Sequence, residues 1–155
     1  MLAAIKSFFE SHIYLDEKQS ADREDHALKV ATAALLLEMA RADFDVKDEE
    51  LRAVAKSIQS MFKLDDSETQ ALVKLAEQES AQATCYYEFT SLINKGFDLQ
   101  KKIKIVELMW QVAYADKHLE KYEEALIRKL TDLLYVPHEQ YIAAKHRVQA
   151  ALKRS

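Results

Sequence analysis

The sequence predicts an all-α fold, a single compact helical domain of about seven or eight helices. The 155-residue chain contains one glycine and one proline, too few for the turns of a sheet. Strong helix formers such as Ala, Leu, Glu and Lys are plentiful instead. Apolar residues also recur three and four positions apart along most of the chain, the period of an amphipathic helix. A chain of this length buries one core, so residues 1–155 are expected to form one domain.

The first half of the chain predicts four helices. The first is short and amphipathic, with an apolar stripe between Leu2 and Ile13. The second runs from about Asp22 to Ala42 and is apolar on most sides, as expected of a central helix. After an acidic turn, the third continues to about Lys63. The segment Asp65-Asp66-Ser67-Glu68 then has the pattern of a capping box that opens the fourth, which is expected to run to near Ser80.

The second half predicts four more helices. Thr84 is suited to begin one of them, and Gly96, the single glycine, is expected in the left-handed position just past its end. Asp98 is expected to cap a long helix that ends at a second acidic turn. Another helix is predicted over residues 120–135, and Pro137 fits the first turn of the last helix, where a missing N–H costs nothing.

The chain repeats itself at a distance of 73 residues. The matched positions lie around the two acidic turns: Asp25 and Asp98, Lys29 and Lys102, Leu35 and Leu108, Ala40 and Ala113, Ala42 and Ala115, Asp43 and Asp116, Val46 and Leu119, Glu50 and Glu123. They predict an internal duplication of a helix-turn-helix hairpin, with repeat units over approximately residues 22–64 and 95–136. Beyond the turns the register changes by one residue, because Leu64 lies best on Val136.

The repeated aspartates, Asp43 and Asp116, are expected at the ends of helices. A carboxylate there opposes the helix dipole at a cost of about 0.3–1 kcal/mol, so another interaction must offset it. One explanation is a structural clip, in which the aspartate accepts hydrogen bonds from the start of the next helix while Glu50 or Glu123 reaches back. Lys47 stands where a capping side chain is expected, which favours the clip. The alternative is a bound cation.

The cation hypothesis has six candidate ligands in the two turns: Asp43, Asp45, Glu50, Asp116, His118 and Glu123. The first three offer only oxygen, whereas His118 would give the second turn a mixed oxygen and nitrogen set. Neither turn is a calcium-binding EF-hand. In the first, the sixth loop position is Asp48 where glycine is needed, and the twelfth is Val54 where the bidentate glutamate is needed.

The two turns share the pattern Ala-Asp-x-x-(Val/Leu)-x-x-x-Glu, at residues 42–50 and 115–123. This pattern resembles that of the TerB-like tellurite-resistance family. The resemblance implies an all-helical fold with two such hairpins and a role in bacterial tellurite and stress resistance. It also implies action within protein assemblies, acidic turns that bind metal, and no catalytic activity.

The chain departs from the family at one position of each turn. Phe44 and Lys117 follow the aspartates, where the family commonly has glycine. A similar helical domain is joined to a J-domain in a DnaJ-type membrane co-chaperone. This chain has no His-Pro-Asp tripeptide, so J-domain activity is excluded.

Composition excludes or disfavours several classes of function. The formal net charge is −4, which argues against nucleic-acid binding. One glycine cannot supply a phosphate-binding loop, and no cofactor is expected apart from the divalent cation. A single cysteine excludes an intrachain disulfide and suits the cytoplasm. No run of about 18 apolar residues occurs, so membrane contact is expected only peripherally or through a partner.

The absence of a catalytic set favours a non-enzymatic module, and the family resemblance implies that it acts through protein partners. Two alternatives stay open. One is a small enzyme built on Cys85 or on a His/carboxylate cluster formed by the fold. The other is a membrane-surface adaptor that uses the amphipathic N-terminal helix.

Overall fold

The computed structural model describes residues 21–44, 47–78, 85–115 and 123–154. Within these ranges every regular element is an α-helix, which confirms the all-α prediction. There are seven helices in the described residues: α1 (Ala21–Phe44), α2 (Asp48–Phe62), α3 (Asp66–Gln78), α4 (Cys85–Gly96), α5 (Leu99–Ala115), α6 (Glu123–Leu133) and α7 (His138–Arg154). The predicted N-terminal helix and the predicted cap Thr84 lie outside the described residues.

Helices α1 and α5 form the centre of the fold and pack against each other. In α1, every side chain from Val30 to Leu37 is at most 2% exposed. In α5, Ile105, Val106 and the run from Leu108 to Trp110 are buried as well. A helix that is apolar on all sides is stable only inside a core, so the even apolar pattern of these two segments explains their central position.

Two three-helix units surround this central pair. Helix α1 packs against α2 and α3, which also contact each other, and α5 packs in the same way against α6 and α7. Helix α4 connects the units and contacts α1 and α6. The repeated unit observed here thus extends beyond the helix-turn-helix hairpin that the sequence predicts, because α3 and α7 belong to it. We refer to α1–α3 as the first copy and to α5–α7 as the second copy.

Burial gives the register between the two copies. In α1 and α5 the buried residues correspond at an offset of 73, which pairs Leu35 with Leu108 and Leu37 with Trp110. In α2 and α6 they correspond at an offset of 72, and four buried pairs share it: Val54 and Leu126, Ala55 and Ile127, Ile58 and Leu130, Phe62 and Leu134. The change of register therefore falls between the two helices of each hairpin, because Trp110 and Leu126 are one residue closer in sequence than Leu37 and Val54.

The helices α2 and α6 end in the same way. In the described part of the chain, Lys63 and Tyr135 are the two non-glycine residues with positive φ, each at 57°. The next N–H returns to a carbonyl five residues earlier, from Leu64 to Gln59 at 3.0 Å and from Val136 to Thr131 at 3.1 Å. This is the long hydrogen bond of a Schellman ending. Leu64 and Val136 are buried, so the left-handed residue turns an apolar side chain back into the core.

The prediction of a left-handed Gly96 is wrong. Gly96 is the last residue of α4 and does not have a positive φ. The N–H of Phe97 still donates to the carbonyl of Ile93 at 2.8 Å, so helical hydrogen bonding continues past the glycine. Phe97 is buried, and its position in the core follows from this continued helical turn.

The predicted helix starts at Asp65 and Asp98 are confirmed. Asp65 Oδ1 accepts from the N–H of Glu68 at 2.7 Å, and Glu68 Oε1 accepts from the N–H of Asp65 at 3.1 Å, which completes a capping box. Asp98 Oδ1 accepts from the N–H of Lys101 at 2.9 Å at the start of α5. Pro137 precedes α7, and its carbonyl accepts from the N–H groups of Gln140 and Tyr141.

Replacing Lys63 with glycine should stabilise the protein. A left-handed conformation costs an L-residue about 1–2 kcal/mol, and glycine avoids this cost while losing some entropy on folding. We expect Lys63→Gly to raise the free energy of unfolding by roughly 0.5–1 kcal/mol in urea denaturation. Lys63→Ala, which keeps the Cβ atom, is the control and should not stabilise. Equal stability of the glycine and alanine variants would contradict the expectation.

Candidate functional site

The first acidic turn joins α1, which ends at Phe44, to α2, which begins at Asp48. Lys47 is the N-cap residue of α2, with extended backbone angles of −70° and 158° and no side-chain cap hydrogen bond. Its carbonyl accepts from the N–H of Leu51 at 2.8 Å. The prediction that this helix starts without its usual side-chain cap is confirmed, since a lysine side chain carries no acceptor.

The six predicted metal ligands are only partly described. Asp43 lies in the last turn of α1, and Glu123 is the first residue of α6, but neither side chain is among those described. Glu50 lies in the first turn of α2 and is exposed. Asp45, Asp116 and His118 lie outside the described residues. Among the residues that are described, no group of three or more His, Cys, Asp or Glu could hold a metal, so the two-turn site stays a prediction.

The register of the two copies bears on this prediction. The offset of 72 that relates α2 to α6 pairs Glu123 with Leu51, not with Glu50. Leu51 is fully buried, whereas Glu50 is exposed. The glutamates of the two turns therefore occupy different positions along their helices, although each lies seven residues after its aspartate.

A second polar cluster lies at the start of α3. The carboxylate of Glu68, which closes the capping box through Oε1, also contacts His26 of α1 through Oε2, at 2.6 Å from the ring Nε2. The Glu68 side chain is 15% exposed, and that of His26 is 40% exposed. One glutamate thus caps α3 and fastens it to α1 through a charge-assisted hydrogen bond, a contact between residues 42 positions apart.

An aromatic cluster joins α5 and α7 in the second copy. The Trp110 ring of α5 stacks on Tyr114 with a centroid distance of 5.8 Å and lies 5.3 Å from the tilted ring of Tyr141 in α7. The ring of His138 lies 5.4 Å from that of Tyr141. Trp110 is fully buried, and within the described residues its indole N–H has no acceptor.

An ion pair covers this aromatic cluster. Lys145 Nζ of α7 lies 5.2 Å from the Trp110 ring centroid and donates to Glu124 Oε1 of α6 at 3.3 Å. Burial lowers the pKa of Lys145, but the hydrogen bond to Glu124 and the nearby Tyr114 raise it, and the net pKa is above the usual value. Burial, and next the Glu124 carboxylate, raise the pKa of Tyr141. The residues pack and pair with one another, which is a structural role.

The sequence did not single out this cluster. Tyr141 and Lys145 are four residues apart, the spacing of one helical face, but their partners come from two other helices. The signal available in the sequence was the replacement of Leu37 by the much larger Trp110 at the equivalent position of the second copy.

The enzyme hypothesis depends on Cys85 and the histidines. Cys85 is the first residue of α4, and its side chain is not among those described. His26 and Glu68 form a histidine–carboxylate contact, but the same carboxylate is the α3 cap. His138 packs on Tyr141, and His146 is exposed on α7. The described histidines therefore have packing or capping contacts or face solvent.

The membrane-surface hypothesis depends on the predicted N-terminal helix, which lies outside the described residues. Of the helices within the described ranges, none combines the length and the apolar character that crossing a bilayer requires.

A comparison with protein families decides the identity of the domain. A family model described as "Tellurite resistance protein TerB" matches residues 29–146, well over half of the chain. The chain belongs to the TerB family. Searches of the curated proteins and of the solved structures found no match.

The TerB match includes both copies of the repeat. It begins in α1 and ends in α7, so it contains both acidic turns and the aromatic cluster of the second copy. The resemblance inferred from the Ala-Asp pattern is thereby confirmed at the level of the family. His26 lies just outside the matched range, whereas its partner Glu68 lies inside it.

The raised pKa of Tyr141 predicts a loss of stability in alkali. Because the folded state holds this proton more tightly than the unfolded state, the unfolded state binds fewer protons as the pH rises through about 10, and unfolding becomes more favourable. Tyr141→Phe removes this titration, so its free energy of unfolding should fall less between about pH 9 and 11 than that of the wild type.

Urea denaturation over this pH range checks the expectation, and the slope with pH is the quantity compared. Tyr135→Phe serves as the control, because it removes the same hydroxyl from a side chain that is 77% exposed. Parallel slopes for the wild type and Tyr141→Phe would show that the Tyr141 proton does not stabilise the fold.

Proposed function

We propose that this TerB family protein is a non-enzymatic module of a bacterial stress or tellurite-resistance system and acts through contacts with other proteins. The observation that carries the proposal is the family match over both copies of the repeat. The module is proposed to work in the cytoplasm, in keeping with its single cysteine and net charge of −4.

The buried polar side chains of the described interior have structural roles. Among the described residues, the buried polar side chains are three threonines, Thr32, Thr90 and Thr131. Thr32 donates to the carbonyl of Leu28 at 2.8 Å, and Thr131 donates to that of Ile127 at 2.7 Å. Such bonds satisfy a buried hydroxyl within its own helix and place no reactive group in a cleft.

We further propose that the first acidic turn binds a divalent cation. Carboxylates are ligands of hard cations, and Asp43, Asp45 and Glu50 stand close together in the sequence around the uncapped start of α2. The second turn, with Asp116, His118 and Glu123, offers a different ligand set, and its glutamate corresponds to Leu51 in the helix register. The first turn is therefore the stronger candidate.

Loss of the protein should make its native cell more sensitive to tellurite. A deletion strain is grown over a range of potassium tellurite concentrations, and the wild-type gene is returned on a plasmid as the control. We expect the deletion to lower the tolerated concentration and the plasmid to restore it. Unchanged tolerance, together with unchanged survival under oxidative and envelope stress, would reject the proposed role.

Divalent cations should shift the amide resonances of the first turn. Metal-free protein is titrated with Ca²⁺, Mg²⁺, Mn²⁺ and Zn²⁺ to millimolar concentration, and Asp43→Asn is expected to abolish the shifts. If Asp43 acts as a clip, the same substitution should also lower the free energy of unfolding by about 1 kcal/mol without metal. Asp116→Asn is the matched change in the second turn. Resonances of Asp43 and Glu50 that stay unmoved by every metal would refute cation binding.

A further inference from the structure

The two copies differ at one equivalent place between their second and third helices. The offset of 72 that relates α2 to α6 also relates α3 to α7, which begin at Asp66 and His138. It pairs Arg52 with Glu124, Thr69 with Tyr141, and Val73 with Lys145. The second copy fills this place with its own side chains. The first copy has a groove there of about 310 Å³, lined by Arg52, Thr69, Gln70, Val73 and Lys74.

The second copy shows what this place accommodates. The Tyr141 ring is 6% exposed and lies against Trp110, so it occupies an apolar setting. The Glu124 carboxylate lies at the edge, where it accepts a hydrogen bond from Lys145. In the second copy this place therefore holds a buried aromatic ring, with a carboxylate at its rim.

The first copy has neither the aromatic ring nor the carboxylate at the equivalent positions. Thr69 and Val73 are much smaller than Tyr141 and Lys145, which leaves the volume open. The Thr69 hydroxyl donates to the carbonyl of Asp65 at 3.0 Å, so it is held against its own helix. Of the five residues that line the groove, the two charged ones are Arg52 and Lys74, both cations. Arg52 places a positive charge where the second copy has the carboxylate of Glu124.

We propose that this groove binds an acidic segment of a partner protein by taking up one aromatic side chain, in the position that Tyr141 occupies in the second copy. The proposal rests on the proposed function, because it gives the module a surface for its protein contacts. The volume is at the lower end of the range of ligand pockets, which suits one side chain. Arg52 and Lys74 complement the carboxylates that flank the aromatic residue.

The test uses a peptide as the probe. The full chain, labelled with ¹⁵N, is titrated with acetyl-Glu-Glu-Tyr-Glu-Glu-amide to millimolar concentration. We expect amide shifts at the four groove residues of α3, at positions 69, 70, 73 and 74, and none at positions 141, 142, 145 and 146 of α7, which serve as the internal control. The tyrosine-to-alanine peptide should bind about tenfold more weakly, the scale of a lost anchor residue. A peptide with lysine in place of glutamate should not shift these amides.

Two variants of the groove complete the test. Thr69→Tyr introduces the residue that the second copy has at the equivalent position. It should fill the groove and so abolish the amide shifts caused by the peptide. Lys74→Glu changes an exposed side chain and should weaken peptide binding about fivefold. Lys63→Glu makes the same charge change three residues before α3 begins, and that helix start lies about 12 Å along the axis from Lys74, so the affinity should stay within about twofold at physiological salt.

Three results would overturn the proposal: no shifts in the groove amides of the wild type, equal binding of the alanine peptide, or equal weakening by Lys74→Glu and Lys63→Glu. If Thr69→Tyr does not fold, Lys74→Glu decides the outcome, since its side chain is exposed. A tellurite-sensitive deletion strain without peptide binding would reject the groove and leave the proposed function standing. Peptide binding without a tellurite or stress phenotype would reject the function and leave the groove standing.

Discussion

The packing of α1 against α5 is the constraint on which the rest of the fold depends. Both helices are buried on most sides, so neither can form a stable structure alone. Each needs cover from several directions, which the flanking helices α2 and α3 supply for one, and α6 and α7 for the other. Duplication meets this requirement directly, because one three-helix unit leaves a face of its central helix uncovered and a second copy covers it.

Local chemistry made much of this architecture predictable. The caps formed by Asp65, Glu68 and Asp98 are hydrogen bonds between residues three positions apart. Their spacing in the sequence was therefore enough to infer them. The single glycine misled the prediction, because composition marks Gly96 as the natural left-handed residue. The observed left-handed residues are Lys63 and Tyr135, and what their positions share is the buried residue that follows each of them. Burial of Leu64 and Val136 is a tertiary property that the local pattern does not contain.

The candidate site was predictable to a smaller extent. The sequence indicated the Ala-Asp pattern and the family, and it indicated that α2 starts without a side-chain cap. It matched Glu50 to Glu123, whereas burial in α2 and α6 matches Leu51 to Glu123. The two pairings differ because the identities around the turns align at an offset of 73, whereas the buried positions of α2 and α6 align at an offset of 72. The contact of Trp110 with Tyr141 spans two helices and 31 positions, and no local spacing specifies it.

The two copies have diverged in how they complete their own cores. The larger Trp110 in place of Leu37 brings an indole N–H into the interior, where it has no acceptor among the described residues. An unmet buried donor costs about 1–3 kcal/mol. Stacking with Tyr114 and Tyr141 and the charge of Lys145 above the ring oppose this cost. Those same residues fill the equivalent place of the second copy. Because the first copy carries Leu37, Thr69 and Val73 instead, it needs no such compensation and keeps open the groove that we propose for a partner side chain.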